Sequence, residues 1–239
     1  MINKQEKKLS KLYAPDWKKF KDKEYKKSVS LFQKRLEVNG FDIKWFKDKI
    51  CLDAGCGSGR YIQAMIDLGV KKVVGIDINI NSAKNKIKDK RVVLLKGDIR
   101  EIPYKDDYFD FICCNGVLHH VTEPKKIIDE FSRVLKKDGY LFLYVFDPYT
   151  EDWELINGIR NINKNIPVER FKEFLKSRLE LPINKIHYFA DLIYAPIQKK
   201  FTKEELICQL LKEYEIKFMT KKGISYDNPL CNRLIARKR

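Results

Sequence analysis

Residues 50–60 read Ile-Cys-Leu-Asp-Ala-Gly-Cys-Gly-Ser-Gly-Arg. An apolar run ends in Asp53, and glycines follow at the alternate positions Gly55, Gly57 and Gly59. An amphipathic segment bearing Tyr61, Ile62, Ala64, Met65 and Leu68 comes straight after. This order dictates a buried strand, a tight turn and the start of a helix. Glycine is needed in such a turn because the backbone must take positive φ and approach its ligand closely. In a parallel α/β sheet, ligands bind outside the carboxyl ends of the strands, and the first strand–helix turn is the usual nucleotide contact. The dinucleotide fingerprint wants a third glycine where Arg60 stands, and the Gly-Lys-Ser/Thr of a phosphate loop is absent.

Later segments repeat the strand–helix theme. Residues 72–79, Lys-Val-Val-Gly-Ile-Asp-Ile-Asn, are a second buried strand ending in Asp77. That carboxylate falls about 20 residues past the loop, where an acid receives both ribose hydroxyls. Residues 92–98 form a third strand ending in Asp98, residues 108–121 a fourth strand with its loop, and residues 131–146 a helix end, a turn and a fifth strand. Strands are expected near 50–53, 72–76, 92–95, 109–114 and 140–146, and helices near 58–68, 79–88 and 124–136. Such alternation argues a parallel, doubly wound sheet. Pro124 suits a first helical residue, and Lys137-Asp138-Gly139 suits a helix closed by glycine.

Leu52-Asp53-Ala54-Gly55-Cys56-Gly57-Ser58-Gly59, with those later segments in order, resembles the class I S-adenosylmethionine-dependent methyltransferases. The likeness covers residues 48–147 and, more loosely, the C-terminal strands. It implies a Rossmann-like, doubly wound, seven-stranded α/β sheet. This would be mostly parallel with a C-terminal antiparallel hairpin, N-terminal helices and a helical insertion after strand five. It implies S-adenosyl-L-methionine as cofactor and S-adenosyl-L-homocysteine as product, held by Asp53, Gly55, Cys56, Gly57, Arg60, Asp77, Ile78, Asp98, Ile99 and Asn115. In the resembled family the Asp98 carboxylate accepts the adenine amino group and Ile99 packs on the ring. Asp53 is either a turn residue or a contact to the glycine-loop backbone or the methionine amino group, and an acid at an apolar strand end is costly unless paired.

The segment Gly116-Val117-Leu118-His119-His120 resembles that of many small-molecule methyltransferases and also that of the wobble-uridine tRNA enzymes. Asn115-Gly116-Val117-Leu118 stands where base-flipping amino-methyltransferases carry Asn/Asp-Pro-Pro-Tyr/Phe, which disfavours methylation of exocyclic amines of nucleic acid bases. The expected reaction is methyl transfer to an O or N atom of a small-molecule acceptor, such as a sugar or anionic metabolite. Alternatives are an RNA (tRNA) methyltransferase and a non-catalytic cofactor-binding partner subunit. Candidate bases are His119, His120, His187 and Asp191, because histidine titrates near neutrality. One of His119 and His120 equally suits a structural histidine bonded to backbone. No metal-ligand cluster is evident.

The chain divides by pattern into an N-terminal helical cap (1–46), a cofactor-binding core (47–147), an insertion or lid (148–201), and a last helix with the final strands (202–239). Pro15 is expected to break the cap into at least two helices. Its aromatic positions Tyr13, Trp17 and Tyr25 suit either the pocket wall or the core. The insertion holds helical pieces at 150–163 and 167–179 and an aromatic run around His187, and is too long for a simple βα connection. Thr202 and Glu205 form a capping box for a helix over 203–213, followed by strands near 215–219 and 230–236.

The formal net charge is +16, divided as +8 over residues 1–50, +2 over 51–150 and +6 over 151–239. The excess thus lies outside the core, where it suits RNA, an acidic small molecule or a membrane surface. Lysine outnumbers arginine 38 to 11. Nucleic-acid sites favour the arginine fork, so a general lysine bias is the competing reading. Six cysteines without a Cys-x-x-Cys pair fit a reducing compartment rather than disulfides or zinc. With no apolar leader and no 18-residue apolar run, a cytoplasmic protein without membrane insertion is expected.

Overall fold

The computed structural model describes residues 2–19, 22–146, 153–219 and 231–239, with the side chains of 14–19, 22–24, 183–184, 218–219 and 231–232 outside the description. Its elements run α1 (Lys4–Lys19), α2 (Asp22–Glu37), β1 (Ile50–Ala54), α3 (Arg60–Asp67), β2 (Lys72–Asp77), α4 (Asn81–Lys86), β3 (Val92–Lys96) and β4 (Phe109–Asn115). They continue with α5 (Pro124–Val134), β5 (Leu135–Phe146), α6 (Trp153–Asn163), α7 (Val168–Ser177), α8 (Ile183–Tyr194), α9 (Lys203–Leu210), β6 (Tyr214–Met219) and β7 (Cys231–Lys238). Short 3₁₀ turns cover Ile43–Phe46 and Leu118–His120.

The strands form one seven-stranded sheet in the order β3-β2-β1-β4-β5-β7-β6. Pairs among β1 to β5 are parallel, and β7 runs antiparallel to both β5 and β6. The period-2 alternation of strands sorts their side chains onto two faces. Leu52, Val74, Ile76, Ile112, Cys114, Leu141 and Leu143 pack on one face with α5 and α9. Cys51, Val73, Phe111, Cys113 and Phe142 pack on the other with α2, α3 and α4. Both faces are covered, as a parallel sheet requires, and this is the doubly wound architecture expected from the alternation.

Several details differ from the sequence reading. Helix α1 runs to Lys19, so Pro15 does not end it. A proline forfeits one backbone hydrogen bond and crowds the carbonyl four residues back, which this helix accommodates. Trp17 lies outside the described side chains. Helix α5 stops at Val134, and β5 begins at the next residue. The left-handed residue is Asp138 (φ +63°), and Gly139 does not close the helix. A Cβ at Gly139 would lie 2.9 Å from the carbonyl oxygens of Asp110 and Lys136, so close backbone approach demands glycine there. The aromatic run of the insertion is helical and forms α8. The capping box is present: the Glu205 amide donates to the Thr202 hydroxyl at 3.0 Å, and the Thr202 amide donates to the Glu205 carboxylate at 2.8 Å. Residues 148–152 and 230 lie outside the description. No helix among the described residues is long and apolar enough to cross a membrane.

Candidate functional site

The chain runs from β1 outward to β3 on one side and from β4 outward on the other, so the carboxyl ends of β1 and β4 flank a topological switch point. A cavity of about 400 Å³ opens there. Three helices close it, each offering one face. Helix α1 contributes Glu6, Leu9, Ser10 and Tyr13, α2 contributes Ser28, Leu31 and Arg35, and α8 contributes His187, Tyr188 and Asp191. Spacings of three and four residues put each set on a single helical stripe.

The glycine loop follows β1. Gly55, Gly57 and Gly59 take φ of +81°, +51° and +79°, conformations that side chains rarely adopt. A Cβ on Gly55 would come 2.2 Å from Val117 Cγ2, and one on Gly59 would come 2.7 Å from Ile87 Cγ1. Gly59 is the residue from which α3 starts. At the end of β2, Asp77 accepts from the Gly57 amide at 2.9 Å and from the Asn79 amide at 2.8 Å. This locks its carboxylate against the loop, although burial pushes its pKa up.

Asp53 lies behind the loop. It is 1% exposed, and its Oδ2 has no hydrogen-bond partner among the described residues. Burial raises its pKa to about 7; Arg60 opposes the rise and the Asp77 charge adds to it. Asp53 is the one residue of the expected cofactor set that does not line the cavity. Gly55, Cys56, Gly57, Arg60, Asp77, Ile78, Asp98, Ile99 and Asn115 all do.

Asp98 follows β3 and is gripped by Arg100. The guanidinium donates Nε to Oδ1 at 2.9 Å and Nη2 to Oδ2 at 2.8 Å, and the Arg100 amide adds a bond to Oδ1 at 3.0 Å. Burial works against the Asp98 charge, and these bonds outweigh it, so its pKa lies below the ordinary carboxylate range. The same guanidinium reaches α1, where it donates to Glu6 at 2.8 and 3.2 Å. Glu6 also bonds reciprocally with Asn3 at the start of α1. Asp98 was legible in the sequence, while Glu6 and Arg100 were not.

All four candidate bases line the same cavity, and His119, His120 and Asp191 lie together in it. His119 is 1% exposed, and its ring lies on Phe146 with centroids 4.1 Å apart. Its Nδ1 is buried without a partner among the described residues, and burial, then the neighbouring His120, push its pKa well down. Neutral imidazole is therefore its form near pH 7. His120 Nδ1 lies 2.8 Å from the Ile197 carbonyl oxygen. A carbonyl only accepts, so Nδ1 carries a proton and Nε2 faces the chamber. Nε2 lies 3.1 Å from the Tyr13 hydroxyl and 3.4 Å from Asp191 Oδ1. The Tyr13 hydroxyl donates to Asp191. His120 is thus both backbone-bonded and at the cavity wall. His119, His120 and Asp191 also present ligand atoms all within 4.8 Å of one another. Separation along the chain hid this grouping in the sequence. Tyr144, Phe146 and Tyr188 complete the chamber wall, and no lysine lines the cavity among the described residues.

The cavity suits the implied cofactor. Asn115 Oδ1 is buried at the wall without a partner among the described residues, Asp77 is fixed beside the glycine loop, and Ile78 and Ile99 supply apolar surface. Together they offer carboxylate acceptors for a diol and an apolar slot for a ring.

Comparison with known proteins agrees. Residues 52–143 match the model of a family described as a methyltransferase domain. The tRNA U34 carboxymethyltransferase of Campylobacter fetus is 32% identical over 143 residues, covering 54% of this chain and 50% of that protein. The chain spans about half the length of the curated relatives it matches. A Pyrococcus horikoshii protein of known structure superposes with a TM-score of 0.62 at 19% identity, covering 97% of this chain and 99% of that one. The 1,6-didemethyltoxoflavin N1-methyltransferase of Burkholderia thailandensis, solved with its acceptor and S-adenosylhomocysteine, gives 0.56 at 17% identity and covers 90% of this chain and 77% of that one. Strand order, glycine loop and family match agree, and residues 52–143 form a methyltransferase domain.

Proposed function

We propose that this protein transfers the methyl group of S-adenosylmethionine to an O or N atom of a small-molecule acceptor. The observation that carries the reading is one cavity continuous from the Asp77 and Asp98 carboxylates to an aromatic chamber where Tyr13, His120 and Asp191 converge. In this reading α1 and α2 cap the cofactor, and the insertion that contains α8 recognises the acceptor.

When bound, the cofactor supplies a methyl group made electrophilic by its sulfonium. The protein need not supply a nucleophile for such an in-line displacement, but must align the acceptor and exclude water. Asp77 binds the ribose hydroxyls, and Ile78 and Ile99 bracket the adenine. Tyr144, Phe146 and Tyr188 exclude water from the chamber. His120 is held by the Ile197 carbonyl with Nε2 inward, so Nε2 accepts the proton of an acceptor hydroxyl or ammonium, and Asp191 stabilises the imidazolium that forms.

A second reading, RNA as acceptor, is favoured by the net charge of +16 and by the tRNA-modifying relative. The aromatic walls Tyr144, Phe146 and Tyr188 favour the small molecule. Transfer of labelled methyl from S-adenosylmethionine into a cell extract, separated into RNA, protein and small-molecule pools, decides between them. Label in the small-molecule pool supports the leading reading, label in RNA selects the second, and absence of cofactor binding removes both.

A further inference from the structure

We propose that His119, His120 and Asp191 form a site for a divalent transition-metal ion of the zinc or iron(II) class at the inner end of the chamber. The inference stands on the ligand geometry alone, and an ion held there would take the His120 Nε2 lone pair in place of the acceptor's proton.

A tetrahedral ion with bonds of about 2.1 Å sets its ligand atoms about 3.4 Å apart. His120 Nε2 and Asp191 Oδ1 stand 3.4 Å apart. The His119 ligand atom completes a set within 4.8 Å. Both histidines are buried and both line the cavity, so an ion would keep an open position toward an acceptor.

The surroundings are those of ligating imidazoles. A metal-bound histidine usually donates its other ring N–H to a carbonyl or carboxylate, which fixes the tautomer and aims the lone pair. His120 does this through the Ile197 carbonyl. The lone pair it aims inward faces the Asp191 carboxylate, with the Tyr13 hydroxyl beside both. The Tyr13 hydroxyl orders that carboxylate from α1. Two imidazoles and one carboxylate suit zinc and iron(II), whereas magnesium prefers an all-oxygen shell.

The test uses the full chain after chelator treatment, titrated with zinc chloride by calorimetry and with cobalt chloride by visible absorption. One zinc ion per chain is expected, with a cobalt spectrum lacking thiolate charge transfer and no comparable magnesium affinity. His120→Ala and Asp191→Asn should each weaken zinc binding by more than the roughly 10–100-fold that loss of an outer-shell partner costs. Asp191→Asn preserves side-chain volume, so it serves if His120→Ala fails to fold. S-Adenosylmethionine affinity, measured in parallel, reports an intact fold. A wild-type chain that binds no zinc overturns the proposal, and so does zinc binding that survives in the variants, a thiolate band, or equal magnesium affinity. Cofactor binding without zinc binding sinks this site alone, while zinc binding without cofactor binding sinks only the methyl-transfer reading.

Discussion

The Glu6 carboxylate lies 2.8 Å from the Arg100 guanidinium, and both side chains are at most 5% exposed. Arg100 grips Asp98 at the same time, so one guanidinium fastens the first helix to a carboxylate of the cavity wall. Glu6→Gln keeps the shape and removes the charge. A hydrogen bond to a charged group contributes about 2 kcal/mol, so comparable destabilisation of the docked α1 is expected. Hydrogen exchange of α1 amides should accelerate and the KM for S-adenosylmethionine should rise. Unchanged protection would show that apolar contacts alone hold the helix.

The same pair predicts an acid limit. Burial pushes Glu6 up, but Arg100 and the Asn3 and Thr122 amides together outweigh it, so its net pKa is lowered, as is that of Asp98. A carboxyl with a depressed folded pKa contributes stability that is fully present above its unfolded pKa, near 4, and lost as pH falls through the folded value. Docking of α1 should therefore hold at neutral pH and fail below about pH 4. Exchange measured down a pH series checks this, and a transition near neutrality would contradict it.

Asp53 predicts the opposite slope. Burial raises its pKa to about 7 in the folded chain. The ionised carboxylate is therefore a cost of folding that is fully present above pH 7 and relieved as pH falls toward the unfolded value near 4. Three pH units correspond to about 4 kcal/mol as an upper bound. Asp53→Asn should raise the Tm of the cofactor-free chain at pH 8 and flatten its pH dependence between 4 and 7. Parallel curves for the two proteins would refute the assignment.

Gly55→Ala combines an unfavourable φ of +81° with a Cβ 2.2 Å from Val117 Cγ2. Strain and overpacking each cost of the order of 1–3 kcal/mol. Cofactor affinity measured by calorimetry should fall at least tenfold. Val117→Ala in the same chain should recover part of the loss, because it removes the clash and leaves the strained φ. No recovery would assign the whole effect to backbone conformation.

Tyr13→Phe removes the hydroxyl that bridges His120 and Asp191. On the proposed mechanism the rate of methyl transfer drops by about 10²-fold, the lower end of general acid–base contributions. The cofactor KM should change little, since the hydroxyl sits at the acceptor end. A rise in KM with unchanged kcat would make Tyr13 part of the cofactor cap.

The parts of this molecule that obey local rules were legible in advance. Alternation along β1 to β5, positive φ in the glycine loop, the strand-end acids Asp77 and Asp98, and the Thr202–Glu205 box all depend on neighbours a few residues apart. The rest depends on encounters between distant segments. Nothing near Glu6 announces Arg100, and nothing near His120 announces Asp191, because each pairing is made when a helix folds over the sheet. The end of α5 was misplaced for a related reason. Gly139 is glycine because the Asp110 carbonyl of the neighbouring strand and the Lys136 carbonyl crowd it, a constraint indistinguishable in sequence from a helix stop.

Glu6 and Tyr13 share one stripe of α1, two turns apart, so on the proposed assignment a single rod bolts the cofactor end and walls the acceptor end. Kinetically, such a molecule has one gate for two compartments. Its turnover should follow an ordered sequential scheme. The nucleoside product leaves only after the methylated product has cleared the shared exit, and the viscosity of the medium should slow release rather than chemistry.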